Sequence, residues 1–532
     1  MQKLPEKKGV WFRFQNLNKR MKINQLKAGA VLSYVILGLT NVVGLLYTPY
    51  LLRMMGQSEY GLYSLVASVV AYLTILDMGF GNAIIRYTAK FRAEGKTEEQ
   101  YSMFGMFIAL YSVIALVAFA AGMTLYFNVE VIFGSTMSAD ELSKAHTLML
   151  LMVFNLAFTF PFSIFGSIIT AYEDFIFQKV VQIVRIILNT VIMVVLLKLG
   201  YRAIGMVVLI TVFNVITQFI NFWYCKYRIR IRIHFNKFNW GFLKEIFMYS
   251  FYIFLNAIID RLYWSTGQLV LGAFVSTVAV AVFAVAIQLE QMYMAFSTAI
   301  SGVFLPKVTA MTTNAQSEKA ISDLFIRTGR LQFIVMAFIL TGFIVFGKQF
   351  IIIWAGKDYA EVYIISLLFF IPLTIPLIQN LGITILQARN KVRFRALLYL
   401  AIALLSLVLQ LVLVKKYQGI GCAIAICIAI VIGHIIIMNI YYYKYQAINI
   451  PIFWKEIGKM AVTPLILGSA AYLALKFIAV DNILKLGTGV LLFSLVYIPV
   501  FWYAGMNQSE RDLINDPVRR LMIKIKKNSK AI

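Results

Sequence analysis

Six ionisable side chains interrupt long apolar runs in this chain: Asp77, Arg185, Asp260, Arg261, Glu290 and His434. Two more, Arg53 and Arg86, stand at opposite ends of such runs. A charge at the centre of an apolar helix costs several kcal/mol unless it meets a partner, water or a ligand, so each is a site candidate. The guanidinium offers a planar fork of donors suited to anions, phosphate above all. The carboxylates can exchange an arginine partner for a proton or Na⁺. Arg185 has no acid near it in sequence, which favours an anionic ligand over a guanidinium that snorkels to lipid phosphate. Asp260 and Arg261 are adjacent and point about 100° apart on a helix, so at least one needs a partner elsewhere. Glu290 sits at similar depth in the next apolar run and is the expected partner of Arg261, as a structural bridge or as part of a working site. His434 could titrate near neutrality, but a hydrogen-bonded packing histidine is the favoured reading.

The remaining chemistry is sparse. Cys225, Cys422 and Cys427 have neither metal-ligand nor redox spacing and read as small buried apolar residues. Gly95-Lys96-Thr97 ends like a phosphate-binding loop, yet Lys90 stands where the leading glycine belongs. Neither a metalloprotease motif nor a nucleophile elbow occurs. These patterns point to no enzyme, cofactor or metal; energy would come from an ion gradient, the membrane potential or the ligand's own gradient.

The elements that must position these groups are membrane helices. The chain has 532 residues, 61% of them hydrophobic, with mean hydropathy +0.81. About fourteen apolar segments of about 20 residues each are long enough to cross a hydrocarbon core of about 30 Å. The expected fold is an all-α polytopic membrane protein. Lys and Arg fall overwhelmingly on alternate loops and at both ends, which places both termini in the cytoplasm. The net charge of +26 is therefore explained by topology and anionic lipid rather than by nucleic acid. No apolar run precedes Ala28, so the basic segment 1–28, with Trp11, Phe12 and Phe14, reads as interfacial rather than as a signal peptide.

The chain also repeats itself at an offset of about 216 to 220 residues. Pro161, Gly166, Thr170 and Ala171 align near Pro376, Gly382, Thr384 and Ala388, and Tyr201-Arg-Ala-Ile-Gly205 aligns with Tyr417-Gln-Gly-Ile-Gly421. An even number of spans per repeat implies two six-helix lobes related by a pseudo-two-fold axis along the membrane normal, a transporter arrangement. The expected divisions are 29–225 for the first lobe, 226–242 for a cytoplasmic linker and 243–445 for the second lobe. Residues 446–505 carry two further helices, and 506–532 form a basic tail.

The run Arg53-Met-Met-Gly-Gln-Ser-Glu59-Tyr-Gly61-Leu-Tyr63, followed by Asp77-Met-Gly79-Phe-Gly81 and Arg86, resembles the opening of bacterial polysaccharide flippases of the O-antigen and capsule type. Asp260-Arg261-Leu, Leu271-Gly272 and Val282-Phe283 resemble that family's seventh and eighth spans. The wider superfamily includes multidrug antiporters and the peptidoglycan-precursor flippase. The resemblance implies a carrier in the bacterial inner membrane that moves an undecaprenyl-pyrophosphate-linked glycan to the outer leaflet by alternating access. It also implies Arg185 and Arg261 as pyrophosphate ligands, Arg53 and Arg86 as gate or entry residues, and Asp77, Asp260 and Glu290 as coupling sites for H⁺ or Na⁺ or as bridges between lobes. Membrane lipids surround such a carrier, and a polysaccharide polymerase and assembly proteins would be its partners. A cation-coupled multidrug antiporter is the nearest rival, although its usual acid in the first span is missing from 29–51. A membrane glycosyltransferase or polymerase should carry a large outer loop, and the longest here, 128–144, is short.

Overall fold

In hydrocarbon a backbone has no solvent to bond with, so apolar runs of this length close their N–H and C=O groups internally as helix. The computed structural model describes residues 25–235, 239–301, 304–313, 317–478, 480–513 and 515, and among these the regular elements are all helical. The expected interfacial segment lies outside the described residues up to position 24, as does the basic tail beyond 515. The principal helices of the first half are α1 (Gln25–Met55), α2 (Gln57–Leu73), α3 (Phe80–Ala93), α4 (Thr97–Phe127), α5 (Ala139–Ala171), α6 (Phe175–Lys198) and α7 (Ala203–Trp223). Those of the second half are α8 (Trp240–Trp264), α9 (Thr266–Phe274), α10 (Thr277–Ser301), α11 (Glu318–Trp354), α12 (Val362–Ile378), α13 (Leu381–Ala388), α14 (Val392–Ala429), α15 (Met438–Tyr445), α16 (Ile450–Leu475) and α17 (Ile483–Ala504).

Among the described residues twelve helices are long and apolar enough to span a membrane, thirteen when the bent pair Trp240–Met248 and Ile253–Trp264 counts as one. Hydropathy predicts fourteen, and the difference lies in Val392–Tyr445, a run of 54 residues counted once. As one helix it would reach about 80 Å, far beyond a core of about 30 Å. Gln418 breaks it, at φ 47° and ψ −127°, in the gap between the spans expected at 395–414 and 419–442. Large apolar side chains such as Leu116, Leu465 and Leu484 are exposed, as a lipid surround requires.

The repeat is written into the backbone as well. Left-handed residues recur at the sequence offset: Glu173 with Asn390, Gly200 with Gln418, and Arg230 with Ala447. Each pair ends a helix at the corresponding place. Two π-helical stretches, Tyr224–Ile229 and Ile430–Ile437, also fall late in the two repeats.

By internal contacts the chain forms two compact units. The first contains residues up to Met54 with Leu73–Asn128 and His146–Phe254; the second contains Met55–Tyr72, Val129–Ala145 and the chain from Leu255 onward. In the first unit Phe80, Phe107, Tyr111, Phe160, Phe165 and Ile168 form a buried core that joins α3, α4 and α5. The second unit holds two stretches, 55–72 and 129–145, that the expected division places in the first lobe, 29–225.

Hydrogen bonds explain that membership. Ser138 and Glu141 cap α5 reciprocally: the Ser138 N–H donates to Glu141 Oε2 at 2.9 Å and the Glu141 N–H to Ser138 Oγ at 3.3 Å. The other oxygen, Oε1, accepts from Ser58 Oγ and Thr277 Oγ1, each at 2.6 Å. One carboxylate thus ties α2, α5 and α10. Lys144 Nζ pairs with Glu59 and with Asp140, each at 2.6 Å. Gly61 allows the close approach of α2 to α10, since a Cβ there would meet the Thr277 carbonyl. Gly61→Val is therefore expected to destabilise by about 1–3 kcal/mol through overpacking, whereas Ser58→Ala should cost about 0.5–1.5 kcal/mol for one hydrogen bond. Thermal midpoints in detergent check this; a Gly61→Val midpoint equal to wild type would refute the close contact.

Candidate functional site

Pro372 and Pro376 remove backbone donors within α12, and that helix stops at Gln379 and Asn380 before α13 begins. The π-helical stretch Ile430–Ile437 likewise interrupts the run from α14 to α15. Both irregular segments contribute to the lining of a cavity of about 230 Å³ inside the second unit. Irregular backbone at membrane depth is tolerated where it is buried in protein or lines a cavity. Side chains hold it in place. Gln379 and Asn439 exchange amide hydrogen bonds at 2.9 and 3.2 Å, and Asn439 Nδ2 donates to the Ile435 carbonyl at 2.6 Å. Trp454 Nε1 donates to Asn439 Oδ1 at 3.1 Å, and Asn380 Nδ2 donates to Ser301 Oγ at 3.0 Å.

The polar wall of this cavity has a definite order. The Arg395 guanidinium lies 4.5 Å from the centre of the Tyr399 ring, a cation–π contact. Tyr399 stacks on His434 at 3.9 Å, and Tyr263 meets the same imidazole edge-on at 5.6 Å. Asp260, exposed at the lining, interacts electrostatically with Arg261 and Arg395. The space therefore combines a guanidinium, a carboxylate, amides and aromatic faces. It can hold a small polar or anionic group; drug-sized ligands need about 300–1,000 Å³.

Glu290 behaves differently from the expectation. It is wholly buried on α10, it is not among the cavity-lining residues, and neither carboxylate oxygen accepts a hydrogen bond among the described residues. Its ionisable neighbour is Asp260. The expected Arg261–Glu290 bridge is thus not formed, because equal depth on successive helices does not fix rotation about their axes. Arg261 is half-buried, and its carbonyl accepts from Tyr72 Oη at 3.3 Å. His434 packs between two tyrosines, as expected of a packing histidine, but the expected hydrogen bond is not made at Nε2, which is buried without a partner among the described residues at the lining of the cavity.

The other expected residues lie in the first unit. Asp77 ends the 3₁₀ turn Thr74–Asp77, where Met78 and Gly79 adopt left-handed φ of 50° and 71° before α3 begins, and it accepts from Tyr111 Oη at 2.8 Å. Arg185 is half-buried on α6 and makes no hydrogen bond or ion pair among the described residues. Arg53 is exposed near the end of α1, and Arg86 is exposed on α3 with its guanidinium 5.8 Å from the Tyr87 ring centre. Sequence reasoning missed Arg395, Tyr399, Gln379 and Asn380. Arg395 opens a predicted span and so read as one more loop charge; its position four residues before Tyr399, on one helix face, was the available signal.

These features define an all-helical, multi-pass membrane protein. Its fold is that of the lipid II flippase MurJ in an inward closed conformation, with a TM-score of 0.67 and 19% identity over 91% of this chain and 99% of that one. An inward-facing multidrug resistance MATE family transporter of the MOP superfamily shares the fold at a TM-score of 0.58 and 13% identity, over 76% of this chain and 98% of that one. Residues 26–312 match the family described as polysaccharide biosynthesis protein, and the chain belongs to that family. A probable low-salt glycan biosynthesis flippase of Haloferax volcanii, Agl15, is 22% identical over 260 residues, 48% of this chain and 53% of that protein. The matched region spans about half the length of this curated relative.

Proposed function

We propose that the protein is a flippase that carries an undecaprenyl-pyrophosphate-linked oligosaccharide from the inner to the outer leaflet of the bacterial inner membrane, for O-antigen or capsule synthesis. The observation that carries this reading is Arg185: a half-buried guanidinium within a membrane helix, with no protein partner among the described residues, in a chain of the polysaccharide biosynthesis family. A pyrophosphate supplies the oxygens that such a fork requires. Relatives named as glycan and lipid II flippases support a lipid-linked cargo. The long lipid can stay in the bilayer while the polar head moves. Both termini are cytoplasmic in this reading, and a polymerase receives the exported unit.

Coupling belongs to the carboxylates. An ion drives a cycle only if it binds one conformation more tightly than the other, and Glu290, buried without a hydrogen-bond partner among the described residues, is the residue we assign to that task. The test is flipping of a fluorescent undecaprenyl-pyrophosphate oligosaccharide in proteoliposomes under imposed ΔpH, Na⁺ gradient or potential. Wild type should flip faster under at least one gradient, and Glu290→Gln should lose that response while keeping basal movement. Undiminished wild-type flipping without any gradient rejects coupling. No flipping of the glycan lipid, with export of cationic drugs instead, would favour the multidrug antiporter.

A further inference from the structure

The segment after α7 is built more elaborately than a connector needs to be. The helix passes into the π turn Tyr224–Ile229, and Arg230 then takes a left-handed φ of 60°, a conformation uncommon outside glycine. The Ile231 N–H donates to the Cys225 carbonyl at 3.2 Å. Across this turn and the residues after it, exposed and half-buried side chains alternate from Arg228 to Ile233. Ile229, Ile231 and Ile233 pack on the core of the first unit, while Arg228, Arg230 and Arg232 are exposed.

The far end is pinned as firmly. The His234 N–H donates to the Tyr101 carbonyl at 3.2 Å, and His234 Nδ1 lies 3.1 Å from Glu98 Oε2. The His234 carbonyl lies against Gly105, in the place a Cβ would occupy. Glu98 pairs with His234, and Asp174 accepts from Tyr224 Oη at 3.1 Å, the same hydroxyl that Arg228 contacts. Arg230 and Arg232 form no ion pair among the described residues. Flanking the three arginines in sequence, Trp223, Tyr227 and Phe235 are 64%, 68% and 70% exposed; Trp and Tyr favour a headgroup layer.

We infer that residues 226–235 form a fixed strap that binds the phosphate headgroups of anionic phospholipids in the inner leaflet, through Arg228, Arg230 and Arg232. Topology alone would ask only for positive charge near a span, which a loose loop provides. Here three exposed charges sit within five residues on a pinned backbone, with exposed aromatic side chains on either side. The inference rests on the cytoplasmic placement of the linker proposed above and not on any transport activity.

The test uses the full chain in detergent, titrated with short-chain phosphatidylglycerol, short-chain phosphatidylcholine or inorganic phosphate, with hydrogen exchange over 226–235 as the readout. Phosphatidylglycerol should slow exchange there, and the other two should not. Each arginine near an anionic surface contributes about fivefold in affinity, so R228Q/R230Q/R232Q should raise the half-saturating lipid concentration roughly hundredfold. R228K/R230K/R232K should stay near wild type, and salt should weaken the effect. Equal protection by phosphatidylcholine, or an unchanged half-point in the glutamine variant, overturns the proposal. Protection by inorganic phosphate alone would replace the lipid by a free phosphate. Impermeant labelling of Arg232→Cys in oriented vesicles reports the side: labelling from the outer face overturns the inner-leaflet assignment, whereas a failure of flipping leaves the strap standing.

Discussion

On the proposed cargo site, Arg185→Ala and Arg261→Ala are each expected to cut glycan export about ten- to hundredfold while leaving the protein abundant in the membrane. Neither guanidinium is deeply buried, so truncation leaves no large cavity in the fold. What each would lose under the proposed function is a charge-assisted contact to the anion, about 1.5–3 kcal/mol, which is about ten- to hundredfold in transport efficiency. The lysine variants should retain part of the function, because an ammonium keeps the charge but loses the planar fork. Export is read from surface glycan, and abundance from the membrane fraction. Full export by both alanine variants would remove these arginines from cargo binding; loss of the protein itself would mark them as structural.

Breaking the ion cluster at Arg330 should produce the largest loss of stability. Arg330 on α11 is buried, with Nε 2.5 Å from Glu510 Oε1 and Nη2 3.0 Å from Oε2; Nη1 reaches Glu456 Oε2 on α16 at 2.8 Å. Glu510 is 1% exposed, and its Oε2 also accepts from the Asn507 N–H at 2.9 Å. The residues after α17 are thereby locked to α11 and α16. Arg330→Ala leaves a buried carboxylate without its guanidinium and should cost about 3–5 kcal/mol, a clear drop in the thermal midpoint. The double change Arg330→Met with Glu510→Leu removes both charges and should recover most of that loss, since desolvation of the pair cancels much of its attraction. A double variant as unstable as the single one would mean that the cluster has a role beyond its own charge balance.

The class of the protein was legible because membrane crossing is a local requirement. Length and apolarity within some 20 residues decide it, and no distant contact can supply or withdraw them. The repeat was legible for a related reason: glycines, prolines and turn residues mark helix ends, and the left-handed positions Glu173, Asn390, Gly200 and Gln418 fall where the aligned sequence places such ends. Asp77, Asp260 and Glu290 stood out because charge in an apolar run is conspicuous. Arg395 and Arg330 did not, since a basic residue at the edge of a span looks like part of the topology signal.

Partners were a different matter. Sequence set Arg261 and Glu290 at one depth, and the tertiary structure gave Glu290 the neighbour Asp260 instead, with Arg395 as a further cation for that acid. Depth follows from counting residues along a helix, but a partner follows from rotation about its axis. In water the apolar stripe of a helix reports that rotation. In a bilayer lipid and neighbouring helix are equally apolar, the stripe is blurred, and only packing decides which way each charge faces.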